Sequence, residues 1–292
     1  MSKSLDELLE YLTLSKVDEN IFQGNTPEES RQRVFGGLVA SQALLSAGKT
    51  VDPARRVHSL HAYFLVGGEP GERITYVVEK VRDGGSFSTR RVLAQQNGVT
   101  IFAMTASFQK KEEGFNHTTP FPENIPSPED LPTWDERLAP IIGVVDEETA
   151  KWLVWDRPID TRAVKAPAWV AHTKQEPSQD VWFKADGVLN DDPLIHTCVL
   201  TYASDLTLLD TAMLPYGEDL YRGKFMMASL DHAIWFHEEF RADEWLLYHE
   251  HSPHASGGRA LAYGEIFTHD QKHVATVMQE GLARFFKERK SN

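Results

Sequence analysis

The sequence predicts an α+β fold in which two antiparallel sheets each wrap around one buried helix. Two stretches of helical length, residues 34–49 and 194–214, are apolar on nearly all sides. Strand-like segments and a closing hairpin follow each stretch, so the second half of the chain repeats the element order of the first. Because a helix with no polar face has to be covered on every side, a long antiparallel sheet around each helix is the expected arrangement.

Length and composition are those of an ordinary globular chain. The 292 residues are enough for about two domains with a large core. Hydrophobic residues make up 41%, charged residues make up 25%, and the net charge is −13. This excess of negative charge argues against nucleic acid or an anionic membrane as the main partner. No run approaches the roughly 18 apolar residues of a membrane span.

The single cysteine and both chain ends favour the cytoplasm. Cys198 lies within an apolar stretch, which is typical of a small core residue in a reducing compartment. Asp6, Glu7 and Glu10 interrupt the apolar core that an amino-terminal signal peptide would need. The carboxyl-terminal residues ERKSN resemble no lipid anchor or peroxisomal address. We therefore expect a cytoplasmic protein.

The chain opens with an amphipathic helix. Ser4 and Glu7 have the spacing of a capping box, in which each side chain binds the other residue's backbone N–H. A stripe of leucines at helical spacing accompanies them, formed by Leu5, Leu8, Leu9 and Leu12. These residues predict a short helix that packs on the core through its leucine face.

Three strand signals follow the first apolar stretch. Residues 58–66 are rich in aromatic and apolar side chains, and residues 73–81 alternate with β-branched positions. Residues 86–109 contain two long strand-like runs around the Asn97-Gly98 pair, which is a strong signal for a tight hairpin turn. The first half therefore predicts a buried helix followed by an antiparallel meander.

The second half repeats this order. A strand-like segment at 181–185 leads into the apolar stretch at 194–214, and two further strand signals lie at 228–237 and 244–252. A closing hairpin with a turn near Asp270 completes the unit. Two such units joined edge to edge form a double hot-dog fold.

A change of composition separates the two units. Residues 110–135 combine acidic side chains with frequent prolines, which suits a linker ordered by its contacts and not a packed element. We therefore expect an amino-terminal hot-dog domain at residues 1–115, a Pro-rich acidic linker at 116–150, and a carboxyl-terminal hot-dog domain at 151–292. The second domain is expected to carry the catalytic residues.

One carboxylate lies in the middle of the second apolar stretch. Residues three and four positions from Asp205 include Thr201, Tyr202, Leu208 and Leu209, so the acid lies in an apolar stripe without an obvious cation. An unpaired buried carboxylate costs several kcal/mol, which favours a functional role. The alternative is that Asp205 caps a broken helix or faces a water-filled seam.

Eight motifs occur in a fixed order along nearly the whole chain. They are VFGGLVASQAL, VHSLHAYFL, RDGGSFSTRRV, FAMTASFQ, YASDL, ASLDHAIWFH, EWLLY and QEGL. Together they resemble the acyl-CoA thioesterase II family, which includes bacterial thioesterase II and its peroxisomal relatives. The resemblance implies a double hot-dog enzyme of fatty acid metabolism that hydrolyses acyl-CoA to free fatty acid and CoA. It implies no cofactor, no metal and no covalent intermediate.

The resemblance also implies a set of catalytic residues. Matched motif by motif, these are Asp205 in YASDL, Ser229 in ASLDH and Gln279 in MQEGL. The family's pattern prefers Thr at the hydroxyl position, where Ser leaves the rotamer less restricted. Asp205 would take a proton from an attacking water that Ser229 and Gln279 help to aim. Burial should raise the pKa of this Asp, whereas hydrogen bonds to its charged form should lower that pKa.

The oxyanion donor and the residues that bind CoA are left open. Backbone N–H groups at the Gly36-Gly37 helix start are a physical possibility for the oxyanion. Several arginines could meet the CoA phosphates, although paired arginines are usually solvated or ion-paired surface residues. These are Arg55, Arg56, Arg90 and Arg91.

Histidines invite two other hypotheses. His58 and His61 alternate on one predicted strand and could be general bases, but a packing role is commoner. Asp231 and His232 are adjacent, so they would face opposite sides of a strand and could not form a dyad. A metal site is also conceivable on one strand face, yet it lacks a convincing fourth ligand. Its candidate ligands are His249, His251 and His254.

Two other functions remain as alternatives. A hot-dog enoyl-CoA hydratase would pair its Asp with a following Asn-Pro and His, whereas Leu206, Thr207 and Leu208 follow Asp205. A non-catalytic acyl-CoA sensor would need no activated water. The expected partner of the predicted thioesterase is its acyl-CoA substrate. Uncovered strand edges predict association into a homodimer or a homotetramer.

Overall fold

Thirteen strands of the described part of the chain form one continuous antiparallel sheet. The structure, a computed structural model, describes residues 2–28, 33–139, 142–143, 157–167, 170, 173–217 and 225–285. The strands of the first half are β1 (Ser15–Asp18), β2 (Ile21–Gly24), β3 (Arg55–Phe64), β4 (Ile74–Asp83), β5 (Phe87–Gln96) and β6 (Val99–Lys110). Those of the second half are β7 (Ile159–Ala163), β8 (Ser178–Ala185), β9 (Phe225–Ser229), β10 (Asp231–Phe236), β11 (Leu246–Ser256), β12 (Arg259–Thr268) and β13 (His273–Phe285).

Short helices lie against this sheet. The α-helices among the described residues are α1 (Lys3–Tyr11), α2 (Gly36–Gly48), α3 (Trp134–Leu138) and α4 (Pro193–Ser204). Two 3₁₀ helices are also present, a single turn at Pro128–Asp130 and a longer one at Leu208–Tyr216, which we call the 3₁₀ segment. Within the described ranges, none of the helices combines the length and the apolar character that crossing a membrane requires.

The sheet is continuous because the two halves pair edge to edge. Its strands follow the order β1-β2-β4-β5-β6-β3-β10-β13-β12-β11-β8-β7, and β9 pairs with β13 beside this path. At the junction, β3 and β10 run antiparallel, with Ala62 opposite His232 and His61 opposite Ala233. Each half brings its own helix to the sheet, and α2 packs against α4 in the interior. The predicted double hot-dog fold is confirmed.

Helix α2 is covered on all sides, as its sequence predicts. Every residue from Gly37 to Ala47 is buried. The Gln42 amide donates from Nε2 to the Tyr11 carbonyl at 2.7 Å, and its Oε1 accepts from the Tyr76 hydroxyl at 2.6 Å. Polar groups on this helix are therefore paired within the core, where an unpaired group would be costly.

The first helix forms as predicted, but its cap lies two residues earlier. The Ser2 hydroxyl, and not that of Ser4, accepts from the Leu5 N–H at 3.3 Å. Ser2 has the extended backbone of an N-cap, with φ −70° and ψ 153°, whereas Ser4 already lies inside the helix. The leucine stripe is buried, with Leu9 only partly so.

The predicted hairpins are confirmed. Strands β5 and β6 pair along their whole length around Asn97 and Gly98, whose φ values are 49° and 80°. Two consecutive positive φ angles are those of a type I′ turn, which matches the twist of the flanking strands. The second hairpin, β12 and β13, turns at residues 269–272, with Gln271 at φ 68°.

The second apolar stretch is not one helix, and this expectation was wrong. Helix α4 begins at Pro193 with Asp192 as its N-cap and ends at Ser204. Asp205 follows as the C-cap, and the chain resumes as the 3₁₀ segment from Leu208. The leucine and threonine pattern is compatible with a continuous helix, so tertiary contacts made by the side chains around Asp205 decide the break.

The Pro-rich segment after β6 packs on the outer face of the second half. Residues 111–127 contain no helix or strand. The Pro126 carbonyl accepts a hydrogen bond from Trp182 Nε1 at 3.0 Å. Apolar side chains of the segment cover a small cluster of strand residues; they are Phe121, Ile125 and Leu131 over Trp182, Leu247 and Phe267. The predicted domain limits stay a prediction, and the boundary at 150–151 lies outside the described residues.

A close approach between β11 and β12 provides a test of how tightly these two strands pack. A Cβ at Gly264 would lie 2.4 Å from Cε2 of the buried Tyr248 ring. We expect Gly264→Ala to lower the free energy of unfolding by about 1 to 3 kcal/mol, measured by urea unfolding. Gly85→Ala is the matched control, because nothing lies within 4 Å of its added Cβ. Equal stabilities of the two variants would contradict the packing.

Candidate active site

Three polar groups converge on the carboxylate of Asp205. Asp205 Oδ1 accepts from Gln279 Nε2 at 2.6 Å and from Ser229 Oγ at 3.1 Å. The backbone N–H of Gly37 also donates to this carboxylate. The structure therefore brings together all three side chains that the sequence predicts for the site.

Asp205 reaches this position because helix α4 stops one residue before it. Its own N–H still donates to the Ala203 carbonyl, and the chain after it no longer follows the α-helix. The Tyr248 hydroxyl approaches the Ser204 carbonyl at 3.4 Å and so contacts the end of the helix. An orphan carbonyl in the last turn of a helix commonly takes such a partner.

Ser229 and Gln279 are placed by an irregularity in the sheet. The strand predicted at 228–237 is two strands, because β9 ends at Ser229 and β10 starts at Asp231. The chain leaves the regular ladder at Leu230, and Asp231 Oδ1 accepts from the Glu280 N–H at 2.6 Å. This bond ties the start of β10 to the residue after Gln279. A local break in pairing is a common way to re-aim a side chain next to a site.

The amino-terminal end of α2 closes the other side of the site. A Cβ at Gly36 would lie 2.7 Å from Asp205 Oδ2 and 2.7 Å from Phe64 Cε1. A Cβ at Gly37 would lie 2.5 Å from the Tyr202 carbonyl oxygen. Both glycines are therefore needed for the close approach of α2 to the end of α4. The Gly37 N–H, considered from sequence for an oxyanion, is engaged with the Asp205 carboxylate.

Burial dominates the electrostatics of Asp205. Burial raises the pKa of Asp205 to about 6, although hydrogen bonds from Gln279, Ser229 and the Gly37 N–H, and the charge of Arg33, act in the opposite direction. The sequence alone did not decide whether burial or hydrogen bonding has the larger effect on this pKa. A carboxylate with a pKa near 6 is ionised at neutral pH and is a stronger base than an exposed aspartate.

Gln279 presents a second acceptor at the same place. Its side chain is fully buried, and its Nε2 is committed to Asp205. Its Oε1 is buried and has no hydrogen-bond partner among the described residues. Two acceptors, the Asp205 carboxylate and Gln279 Oε1, thus lie side by side and could bind both protons of one water molecule.

The other titratable candidates lie apart from this group. His58 Nε2 pairs with Ser107 Oγ at 2.8 Å, and the His61 ring packs edge-on against Trp235. His232 is buried, with Nε2 2.9 Å from Ser204 Oγ. Burial also raises the pKa of the Cys198 thiol, which is the setting of an inert core residue.

The histidines of β11 bind neighbours on the sheet. His249 Nδ1 lies 2.6 Å from Asp180 Oδ1, and His251 Nε2 lies 2.7 Å from His249 Nε2. His254 pairs with Ser256 Oγ at 2.9 Å. In the described part of the chain, no group of three or more His, Cys, Asp or Glu side chains is arranged to hold a metal ion.

Only some of the arginines considered for CoA are accessible. Arg90 is buried in an ion pair with Asp83 at 2.8 Å, so it cannot reach a phosphate at the surface. Arg55 donates to Ser88 Oγ and to the Gly84 carbonyl, both at 2.8 Å. Arg33, which was not singled out from sequence, donates to the Met227 carbonyl at 2.9 Å and lies close enough to influence Asp205.

Family models match both halves of the chain. The model described as acyl-CoA thioesterase matches residues 156–282, and the model described as acyl-CoA thioesterase N-terminal domain matches residues 26–109. Together these ranges include all the residues that surround Asp205.

Individual proteins match over nearly the full length. An acyl-CoA thioesterase 2 of Haemophilus influenzae is 38% identical over 98% of this chain and 99% of its own. The crystal structure of an acyl-CoA thioesterase II of Mycobacterium marinum is 43% identical, with a TM-score of 0.79, over 97% of this chain and 100% of that chain.

A more distant structure supports the fold alone. A hot-dog protein of Alicyclobacillus acidocaldarius is 18% identical, with a TM-score of 0.75, over 97% of this chain and 99% of that chain. With the double hot-dog sheet, the full-length relatives and the two family models in agreement, the chain belongs to the acyl-CoA thioesterase II family of thioester hydrolases.

Proposed function

We propose that this protein hydrolyses acyl-CoA to free fatty acid and CoA by direct attack of a water molecule that Asp205 activates. The observation that carries the proposal is the pairing of two acceptors at one point. Gln279 donates to Asp205 through Nε2 and keeps a buried Oε1 beside the carboxylate. The proteins named above as acyl-CoA thioesterases support the same substrate class.

The attacking water would bridge these two acceptors. One of its O–H groups donates to the Asp205 carboxylate and the other to Gln279 Oε1, which directs an oxygen lone pair at the thioester carbonyl carbon. As the carbon–oxygen bond forms, Asp205 accepts the first proton and the carbonyl oxygen becomes an oxyanion. Collapse of this intermediate breaks the carbon–sulfur bond. The protonated Asp205 then returns its proton to the departing CoA sulfur.

The neighbours of Asp205 would keep it in the state that this reaction needs. The Ser229 hydroxyl and the Gln279 amide hold Oδ1, and the Gly37 N–H at the start of α2 favours the charged form. Because the donors are provided by three different elements, the carboxylate has little freedom to rotate. A base that is already held in its reactive orientation avoids the entropic cost of reaching that orientation during each turnover.

Two broader expectations accompany this proposal. Association into a dimer or a tetramer stays a prediction, as does the cytoplasmic location. Neither enters the proposed chemistry, which uses Asp205 and its donors Ser229, Gln279 and the Gly37 N–H of the same chain.

Replacement of Asp205 tests the proposal directly. Asp205→Asn keeps the side-chain shape and removes the base, so we expect thiol release from acyl-CoA to fall by about 100- to 10,000-fold. Release should be measured on a panel of short to long acyl-CoAs, with folding checked by circular dichroism. Asp243→Asn is the matched control, since Asp243 is also a buried acid but binds Arg241 at 2.9 Å.

Three outcomes separate the alternatives. Equal activity of Asp205→Asn and the native protein would show that the catalytic assignment is wrong. Binding of acyl-CoA by the native protein without thiol release would favour the sensor over the enzyme. Loss of activity in Asp205→Asn alone, with the control still active, would support water attack.

The pKa of Asp205 predicts the acid limb of the rate profile. Asp205 has to be ionised to accept a proton, and burial raises its pKa to about 6. The rate at low substrate concentration should therefore rise with pH and reach half its plateau near pH 6 in the native protein. A half-point near pH 4, the ordinary value for an exposed aspartate, would contradict this environment.

Ser229 offers a graded change at the same carboxylate. Ser229→Ala removes a donor that favours ionised Asp205, so the acid limb should move to higher pH and kcat should fall by about tenfold. Ser229→Thr keeps the hydroxyl and should stay within about threefold of the native kcat. Unchanged pH profiles in both variants would argue against a bond between Ser229 and the base.

A further inference from the structure

A second carboxyl group is buried close to the site. Glu250 lies in the middle of β11 and is fully buried. Its Oε2 accepts from Gln179 Nε2 at 2.6 Å and from Thr211 Oγ1 at 2.8 Å, and its Oε1 accepts from the Thr207 hydroxyl. Its hydrogen-bond donors are thus two neutral hydroxyls and one neutral amide.

The burial of Glu250 makes its ionised form costly in free energy. Burial raises the pKa of Glu250 to about 7, against the opposing effect of its hydrogen bonds from Thr207, Gln179 and Thr211. Apolar side chains of similar size would fill the same space at less cost. The group is therefore better explained by what it binds than by its contribution to packing.

The donors that bind Glu250 belong to the chain that directly follows Asp205. Thr207 lies two residues after Asp205, in the turn between α4 and the 3₁₀ segment, and Thr211 lies one turn further on. The Gln179 amide also donates to the Thr207 carbonyl at 3.2 Å, so the turn is held through its backbone as well. These bonds fix the chain on the carboxyl-terminal side of Asp205.

The same strand contacts the chain on the other side of Asp205. Tyr248 lies two residues before Glu250 on β11, so both side chains point to the same face of the sheet. The Tyr248 hydroxyl contacts the Ser204 carbonyl at 3.4 Å. Strand β11 thus contacts the residue before Asp205 and the second residue after it.

We propose that Glu250 is a positioning residue that binds Thr207 and Thr211, maintains the break after α4, and so aims the Asp205 carboxylate at Ser229 and Gln279. Residues 194–214 contain no glycine or proline that would interrupt a helix. With no such local signal, the bonds of Thr207 and Thr211 to Glu250 are among the contacts that hold the chain in its present path after Asp205. The proposal rests on the proposed role of Asp205 as the base.

The test compares substitutions that keep or remove the hydrogen bonds of Glu250. Glu250→Val suits a strand and removes every acceptor, whereas Glu250→Gln keeps one acceptor for Thr207. We expect Glu250→Val to lower kcat for acyl-CoA hydrolysis by about tenfold or more with KM within about twofold, because displacement of the base affects the chemical step. Glu250→Gln should stay within about threefold of the native kcat.

Thr207 offers a smaller change if Glu250→Val does not fold. Thr207→Val removes one hydroxyl at nearly constant shape and should also lower kcat, whereas Thr207→Ser should restore it. Combined with Glu250→Val, Thr207→Val should cause little additional loss, since both remove the same bond. Thr201→Val is the matched control. This buried threonine lies in α4 and donates to the Thr197 carbonyl at 2.9 Å, so its loss should leave kcat unchanged.

The outcomes distinguish this inference from the proposed function. Full kcat in folded Glu250→Val, or equal losses in Thr207→Val and Thr201→Val, would overturn the role of Glu250 while Asp205→Asn remained inactive. If Asp205→Asn were as active as the native protein, the proposed function itself would fail. A fall in kcat for Thr207→Val, with Thr207→Ser and Thr201→Val both near the native value, would support the positioning role.

Discussion

The carboxylate of Asp205 depends on donors from three separate parts of the fold. Gln279 comes from the middle of strand β13, Ser229 from the end of β9, and the Gly37 N–H from the start of α2. A buried carboxylate without such donors would be too costly to ionise at neutral pH. The other features of the site serve to place these three donors around the Asp205 carboxylate.

Both halves of the molecule contribute to that point. The carboxyl-terminal half supplies the three side chains, but the amino-terminal half supplies the helix end that approaches Asp205. Pairing of β3 with β10 brings α2 and α4 together, and the absence of side chains at Gly36 and Gly37 allows the final contact. The fused double unit therefore has a physical reason, since neither half alone would complete the environment of the base.

The site also departs locally from regular structure. Helix α4 ends at Ser204, and the ladder between β13 and its neighbours is interrupted at Leu230. Each irregularity releases one catalytic candidate from the geometry of its element and gives its side chain a new direction. Side-chain hydrogen bonds accompany both breaks: Asp231 Oδ1 accepts from the Glu280 N–H, and the buried Glu250 accepts from the Thr207 hydroxyl. Such local exceptions to regular structure are typical of functional sites.

The sequence by itself determined the fold class, the hairpin at Asn97-Gly98, the buried helix α2 and, through its resemblance to a family, the candidate trio Asp205, Ser229 and Gln279. These depend on local periodicity, turn chemistry and motif order, which are properties of neighbouring residues. Only the tertiary structure decided the break at Ser204, the split strand, the contact from Gly37 and the burial of Glu250. Each of these depends on contacts between residues far apart in the chain. The sequence pattern of one segment does not show which distant residue that segment will contact.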